Sequence, residues 1–95
     1  EYKIAPASFD AIICFYYVDR SLIERMKSWL KPGGILIYEA YTVREMKTKK
    51  APEYNPEYYL KEQELLNLFS GMRVLKYEEP LHEKEFRSSI ILMKE

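Results

Sequence analysis

The sequence has very few of the residues that hold metals or form disulfides. Its 95 residues include one cysteine, Cys14, and one histidine, His82. A disulfide needs a second cysteine, and structural zinc sites are built from several cysteine and histidine ligands. We therefore expect neither an internal disulfide nor a bound metal.

The sequence also lacks an excess of charge and a long apolar run. Lysine plus arginine number 15, as do aspartate plus glutamate, so the formal net charge is zero. Nucleic-acid binding normally needs a basic surface. The longest apolar run, from Ala11 to Val18, is far shorter than the roughly 20 residues that span a bilayer, and no basic and then apolar signal segment opens the chain. We expect a cytoplasmic protein that binds neither nucleic acid nor membranes.

What the composition does contain is typical of a folded protein. Hydrophobic residues make up 47% of the chain and charged residues 32%, which is a globular balance. Glutamate (13) and lysine (10) far outnumber asparagine and glutamine, which total three, a bias seen in proteins from thermophiles. The length falls below the roughly 100 to 150 residues of an ordinary domain. We expect residues 1–95 to be a single, partial domain.

The first half of the sequence predicts a strand, a helix and a second strand. The segment from Phe9 to Tyr17 is nearly all apolar, as in a central strand that is covered on both faces. Asp19 is the expected N-cap of the following amphipathic helix, which Pro32 and two glycines end. A second strand is predicted from Ile35 to Tyr41.

The second half predicts a long loop, a helix and a hairpin. Residues 42–58 have no clear period and include two prolines, so we expect a loop there. A short helix is predicted over residues 60–70, with Gly71 at its end. Residues 72–79 and 86–93 alternate like strands, and the short connection between them indicates an antiparallel hairpin.

This order of elements predicts a sheet with one bare face. Crossovers between parallel strands are right-handed, so we expect both helices on one face of the sheet. The opposite face of four strands would project roughly 300 Å², which approaches the largest apolar patch tolerated on a soluble monomer. One edge of the first strand would also be open. We therefore expect a homo-oligomer, or association with a complementary half.

Three segments together resemble the second half of a class I S-adenosylmethionine-dependent methyltransferase. They are FDAII at residues 9–13, LKPGG at residues 30–34 and ILIYE at residues 35–39. The small-molecule, tellurite-resistance-type branch of the family is further indicated by Tyr59, Leu60, Glu64 and Leu65. The resemblance implies an α/β fold: a partial Rossmann-like sheet with strands in the family order 4-5-7-6, strand 7 being antiparallel.

The sequence departs from the family pattern at the cofactor. The family holds S-adenosylmethionine with a glycine-rich turn and an acidic residue, both in the first half of its fold. The three glycines of this sequence, Gly33, Gly34 and Gly71, do not form that turn, and the acidic residue has no counterpart here. We expect that half to precede Glu1, and this chain to bind no cofactor by itself. The alternative hypothesis is a methyltransferase-derived domain that is inactive and associates with itself or with another protein.

The resemblance also implies where site residues would lie. Phe15 and Tyr16 end the first strand at the carboxyl edge of the sheet and are candidates for cofactor binding, whereas Tyr17, Glu39 and Tyr41 are candidates for substrate binding. The alternatives are ordinary ones, because apolar residues also end buried strands and a carboxylate at a strand end is often only solvated. No catalytic residue is assigned, since no triad or paired-carboxylate pattern is present.

Overall fold

The computed structural model describes residues 4–45, 55–81 and 85–95, which form a mixed α/β structure with one four-stranded sheet. The strands are β1 (Phe9–Phe15), β2 (Leu30–Tyr41), β3 (Arg73–Glu78) and β4 (Arg87–Met93). Their order in the sheet is β1-β2-β4-β3. β1 runs parallel to β2, and β4 runs antiparallel to both of its neighbours. The predicted α/β class and the predicted hairpin of the last two strands are confirmed.

The helices are short. A single 3-10 turn (Arg20–Leu22) leads into α1 (Ile23–Trp29), and a second 3-10 turn (Pro56–Tyr58) precedes α2 (Glu64–Leu68). Asp19 caps the first turn as predicted, because its Oδ1 accepts a hydrogen bond from the Ser21 amide at 3.0 Å. No helix within the described residues has the length and apolar character needed to cross a membrane.

The segment predicted as a loop contains regular structure at both ends. Residues 43–45 are helical, and the second 3-10 turn lies at the other end of the segment. Residues 46–54 of that loop lie outside the described residues, as do residues 82–84 of the predicted hairpin connection, which include His82.

The core lies on one face of the sheet. Leu36, Tyr38 and Ala40 alternate along β2, and each is at most 1% exposed. Because successive side chains of a strand point to opposite faces, these three share a face. The other buried apolar residues of the core come from β4, both helices and the adjoining segments: Ile23, Met26, Leu30, Leu60, Leu65, Phe69, Ile90 and Leu92.

The opposite face of the sheet is bare among the described residues. We call it the bare face; Ile13 (62% exposed) and Phe15 (53% exposed) are its most open apolar side chains on β1. The predicted strand from Phe9 to Tyr17, covered on both faces, is therefore wrong in its cover and in its end. One face of β1 is bare among the described residues, and the strand ends at Phe15 because Tyr16 turns the backbone to a φ of +58°. The predicted open edge of this strand is present in the described sheet.

The LKPGG segment forms an irregular start to β2. Phe9 pairs with Leu30 and Ala11 with Ile35, so the residues between them on β2 bulge out of the ladder. Gly33 takes a φ of +82° there, and its amide donates to the Lys94 carbonyl. The predicted tight turn before a strand that begins at Ile35 is wrong, because residues 30–34 already belong to β2 as its bulged first part.

The end of β4 is tied to the end of α1. The ammonium group of Lys94 donates to the carbonyl oxygens of Lys27 at 2.7 Å and Leu30 at 2.8 Å. A helix leaves its last carbonyls without partners inside the helix. Lys94 therefore stabilises the carboxyl end of α1 from a residue distant in sequence.

Alanine substitutions at the two glycines of the bulge should lower the free energy of unfolding by different amounts. In Gly33→Ala the added methyl group would meet no other atom, but the alanine would have to keep the positive φ of Gly33. That backbone conformation costs a residue with a side chain roughly 1 to 2 kcal/mol. In Gly34→Ala the methyl group would meet the Lys31 carbonyl oxygen and the fully buried Leu30 side chain at 2.8 Å, and such overpacking adds about 1 to 3 kcal/mol. We expect urea unfolding to show Gly34→Ala as the less stable variant. Equal stabilities would contradict the described bulge.

Candidate functional site

The backbone makes an elbow where β1 ends at the carboxyl edge of the sheet. Tyr16 adopts a φ of +58°, and its amide donates to the Glu39 carbonyl oxygen at 2.7 Å. A left-handed conformation costs a residue with a side chain roughly 1 to 2 kcal/mol, so other contacts must hold it in place. The elbow carries Tyr16 and Tyr17 out of the strand and beyond the edge of the sheet.

A polar cluster holds the elbow. We call it the Glu39 cluster: Tyr16, Glu39, Arg87 and Ser89, with Tyr41 stacked against Tyr16. The Tyr16 hydroxyl donates to Glu39 Oε2 at 2.7 Å, and Ser89 Oγ donates to Glu39 Oε1 at 2.7 Å. Arg87 Nη1 donates to the Tyr16 hydroxyl oxygen at 3.0 Å. The Tyr16 and Tyr41 rings stack with centroids 5.0 Å apart. Tyr16 is thus fixed at its backbone, its hydroxyl and one ring face.

The cluster keeps Glu39 ionised. Partial burial would by itself raise the pKa of this carboxyl, but hydrogen bonds from Tyr16 and Ser89 and the charge of Arg87 outweigh it and hold the pKa below its ordinary value. A carboxylate with a lowered pKa and three partners is a poor proton acceptor near neutral pH. In this structure Glu39 orients Tyr16 by accepting the hydrogen bond of its hydroxyl.

An open cleft of about 1120 Å³ lies beside the elbow, and we call it the edge cleft. One wall is formed by the segment that follows β1, and the other by the second 3-10 turn and Lys61. The lining residues are Tyr16, Tyr17, Val18, Asp19, Arg20, Ser21, Pro56, Glu57, Tyr58 and Lys61. In open α/β sheets the ligand site lies outside the carboxyl ends of the strands, and the edge cleft occupies that position.

Arg20 ties the two walls of the edge cleft together. Its Nε and Nη2 donate to the two carboxylate oxygens of Glu64, at 2.5 and 2.8 Å. Nη1 and Nη2 also donate, at 2.9 Å each, to the carbonyl oxygens of Glu57 and Tyr59. Hydrogen bonds from Arg20 lower the pKa of Glu64, although partial burial opposes the shift. The pair stays charged, and the guanidinium of Arg20 already donates to protein acceptors rather than to a ligand.

Two further groups near the elbow contribute to packing rather than chemistry. The buried Tyr38 hydroxyl donates to the Tyr17 carbonyl oxygen at 2.5 Å, and burial raises the pKa of this phenol. Burial likewise raises the pKa of the Cys14 thiol, whose sulfur lies 3.7 Å from the same oxygen. Neither group is activated as a nucleophile. Over the described parts of the chain, no three His, Cys, Asp or Glu side chains converge as a metal site would require.

The structure brings some of the predicted site residues together and separates others. Tyr16, Glu39 and Tyr41 meet in the Glu39 cluster, and Tyr16 and Tyr17 line the edge cleft. Phe15 instead lies on the bare face, beside a shallow groove that it lines with Ile37, Glu39 and Ser89 among others. The ring of Phe15 is 6.3 Å from that of Tyr16, so the two are neighbours with different surroundings.

Sequence reasoning missed Arg20, Arg87 and Ser89. The last two belong to β4 and reach the cluster because Tyr41 pairs with Arg87, and Glu39 with Ser89, in the antiparallel ladder. The alternation of the hairpin strands was visible in the sequence, but its register against β2 was not. Arg20 lies one residue after the predicted N-cap, and its partner Glu64 is 44 residues away.

Two solved structures share this fold. A SAM-dependent methyltransferase from Methanosarcina mazei superposes on 99% of this chain with a TM-score of 0.68 and 16% sequence identity. A SAM-dependent methyltransferase from Aquifex aeolicus superposes on 98% of this chain with a TM-score of 0.60 and 18% identity. This chain covers 63% of the first protein and 50% of the second.

The likeness shows the fold of this chain, which it shares with part of each of these SAM-dependent methyltransferases, and confirms the resemblance at the level of the fold. No family sequence model matches the chain. The search of curated proteins also found no match.

The Arg20–Glu64 pair predicts a stability effect that depends on pH. We expect Arg20→Gln to lower the free energy of unfolding by about 1 to 3 kcal/mol at neutral pH, because it leaves partly buried acceptors without a charged donor. Glu64 has a lowered pKa in the folded chain, so its contribution is present above the unfolded value and is lost as the pH falls through the folded one. Urea unfolding should therefore show a smaller difference in acid than at neutral pH.

A matched control is Arg73→Gln, which removes an exposed ion pair with Glu95. Exposed pairs contribute about 0 to 1 kcal/mol, so this variant should differ little from the parent chain at either pH. If Arg73→Gln lowered the free energy of unfolding as much as Arg20→Gln does, the Arg20–Glu64 pair would contribute no more to stability than an exposed ion pair.

Proposed function

We propose that this chain forms the C-terminal half of a class I S-adenosylmethionine-dependent methyltransferase of the small-molecule, tellurite-resistance-type branch. In this proposal β1, β2, β4 and β3 are strands 4, 5, 7 and 6 of the family sheet. The observation that carries it is the fold likeness along 99% of the chain to a protein of which it covers 63%. The edge cleft adds support, since it lies where open α/β sheets bind ligands.

The proposed role of this half is to form one wall of the site. Phe15 and Tyr16 would face the cofactor, and Tyr17, with the Glu39 cluster and its Tyr41, would face the methyl acceptor. Tyr16 is held from three sides, so its ring offers a rigid surface at little entropic cost. Methyl transfer depends strongly on alignment of the acceptor with the methyl group, and S-adenosylmethionine, when bound, supplies that group.

The glycines of this chain do not fit the rest of the cofactor. Gly33 and Gly34 lie in the bulge that begins β2, and Gly71 follows α2. None lies in the turn between a parallel strand and the helix after it, where glycine lets the backbone approach such a cofactor closely. We propose that the glycine-rich turn and the ribose-binding acid come from outside residues 1–95, and that cofactor binding needs both halves.

Calorimetry with S-adenosylhomocysteine tests this proposal. The chain alone should give no binding heat at micromolar concentration. A chimera should bind if it joins residues 4–95 to the part of the Methanosarcina mazei protein that this chain does not cover, and Tyr16→Ala in the chimera should weaken binding. The family proposal fails if the chimera folds, as judged by circular dichroism, and yet binds nothing. Binding by the chain alone would show that the glycine-rich half is not needed.

A second candidate function is an inactive, self-associating domain, and the uncovered surface favours it. On the bare face, Ile13 is 62% and Phe15 is 53% exposed, and contiguous exposed apolar side chains mark interaction surfaces on soluble proteins. The bare face and the unpaired edge of β1 are the surfaces that a second copy would occupy.

Sedimentation velocity tests for association. We expect a dimer at micromolar concentration, and Ile13→Lys should shift it toward monomer because a charge on the bare face cannot be buried cheaply. Leu81→Lys replaces a similarly exposed apolar residue (59% exposed, against 62% for Ile13) away from the sheet, so it should leave the sedimentation coefficient unchanged. A stable monomer of the parent chain would rule out self-association, whereas the methyltransferase proposal would stand.

A further inference from the structure

The edge cleft combines exposed aromatic rings with carboxylates. Tyr16, Tyr17 and Tyr58 line it with 49%, 56% and 67% of their surface exposed. Asp19 and Glu57 line it as well. Large aromatic side chains normally bury much of their surface, and three exposed rings around one concave surface are available to a ligand. The faces of such rings attract cations.

The cleft also carries carboxylates that can supply counter-charge to a cation. Among the described lining residues, Asp19, Arg20, Glu57 and Lys61 are charged at neutral pH. The positive charge of Arg20 is neutralised by Glu64. The carboxylates of Asp19 and Glu57 remain beside the ammonium of Lys61, and Arg25 also acts on Asp19. The hydrogen bond from the Ser21 hydroxyl leads the contacts that lower the pKa of Asp19, against a smaller opposing effect of desolvation, so this carboxylate stays ionised well into acid.

The rings are held before any ligand arrives. Tyr16 is fixed by the Glu39 cluster and by its stacking on Tyr41. The Tyr17 carbonyl oxygen accepts a hydrogen bond from the buried Tyr38 hydroxyl at 2.5 Å, which holds the backbone that carries the Tyr17 ring. Arg20 holds the carbonyl of Glu57 and thereby the turn that carries Tyr58. A preformed aromatic surface loses little entropy on binding.

We propose that the edge cleft binds an aliphatic amine in its protonated or methylated cationic form. As a statement about binding, this does not depend on the proposed methyltransferase function. As the assignment of a methyl acceptor it does: an amine bound in its protonated form would first release its proton to water, and its nitrogen lone pair would then form the bond to the methyl carbon while the methyl–sulfur bond of S-adenosylmethionine breaks to leave S-adenosylhomocysteine. The cationic head would lie against Tyr17 and Tyr58, with Asp19 and Glu57 supplying the counter-charge. The open cleft's volume of about 1120 Å³ exceeds the roughly 300 to 1,000 Å³ of small-molecule sites, so the cleft has room for a substituent larger than the head group.

The test compares choline with its uncharged carbon isostere, 3,3-dimethylbutanol. Proton–nitrogen correlation spectra of the chain should show saturable shifts with choline at residues 16–21 and 56–61, and binding of the isostere should be about tenfold weaker, as expected for a contribution of roughly 1 to 2 kcal/mol from cation–π contacts and charge. Equal binding of the two, or no saturable shift up to tens of millimolar choline, would overturn the proposal.

Charge variants on the rim give opposite expectations. Glu57→Gln should weaken choline binding about two- to tenfold, and Lys61→Gln should strengthen it by a similar factor, as for charges near a protein surface. Tyr58→Phe should keep the affinity and Tyr58→Ala should reduce it, since the ring face is what matters. Glu78→Gln removes a carboxylate on β3 that does not line the edge cleft and serves as the matched control. Equal affinities of the Glu57, Lys61 and Glu78 variants would contradict the proposal.

A final arm separates an acceptor amine from the cofactor's own sulfonium group, which is also a cation. In the chimera described above, S-adenosylmethionine, which carries the sulfonium, and choline should bind together. Displacement of choline by S-adenosylmethionine would assign the cation site to the cofactor and overturn the acceptor assignment. Failure of the chimera to bind S-adenosylhomocysteine, with choline binding intact in the chain, would contradict only the methyltransferase proposal.

Discussion

Burial of the sheet on a single face is the constraint on which the rest of the structure depends. The even-numbered side chains of β2, Leu36 to Ala40, lie beneath both helices and are almost completely buried, whereas Ile13 and Phe15 on the other face of β1 are more than half exposed. This division follows from the alternation of a strand, because successive side chains point to opposite faces of the sheet. Within the described residues, α1 and α2 pack on the buried face of the sheet. The elbow and the edge cleft lie at the carboxyl edge, between the buried face and the bare face.

The fold was largely predictable because its signals are local. The apolar run of β1, the cap at Asp19 and the positive-φ glycine at Gly71 each depend on a few neighbouring residues. The length of β1 was not predictable in the same way. Nothing in the run from Phe15 to Tyr17 marks the change to positive φ at Tyr16, since that change is stabilised by Glu39 and Arg87 from two other strands.

The candidate site was predictable only where it follows from strand ends. Tyr16, Glu39 and Tyr41 were grouped because parallel strands end at one edge, and they do meet. The partners that give the site its electrostatics come from far along the chain. Ser89 depends on the register of β4 against β2, and Arg20 depends on the position of Glu64. Such pairings depend on tertiary packing, and the hydrophobic period of one segment does not indicate which distant residues it will contact.

The contact between Lys94 and α1 bears on the order in which the chain folds during synthesis. The last carbonyls of α1 belong to residues near position 30, and their donor is made 64 to 67 residues later. Contacts of such sequence separation form late, since the intervening chain must be closed first. On a ribosome, α1 must wait without this cap until Lys94 has left the exit tunnel. The end of β4 thus closes over the end of α1 only after the ribosome has made all of β4 and Lys94.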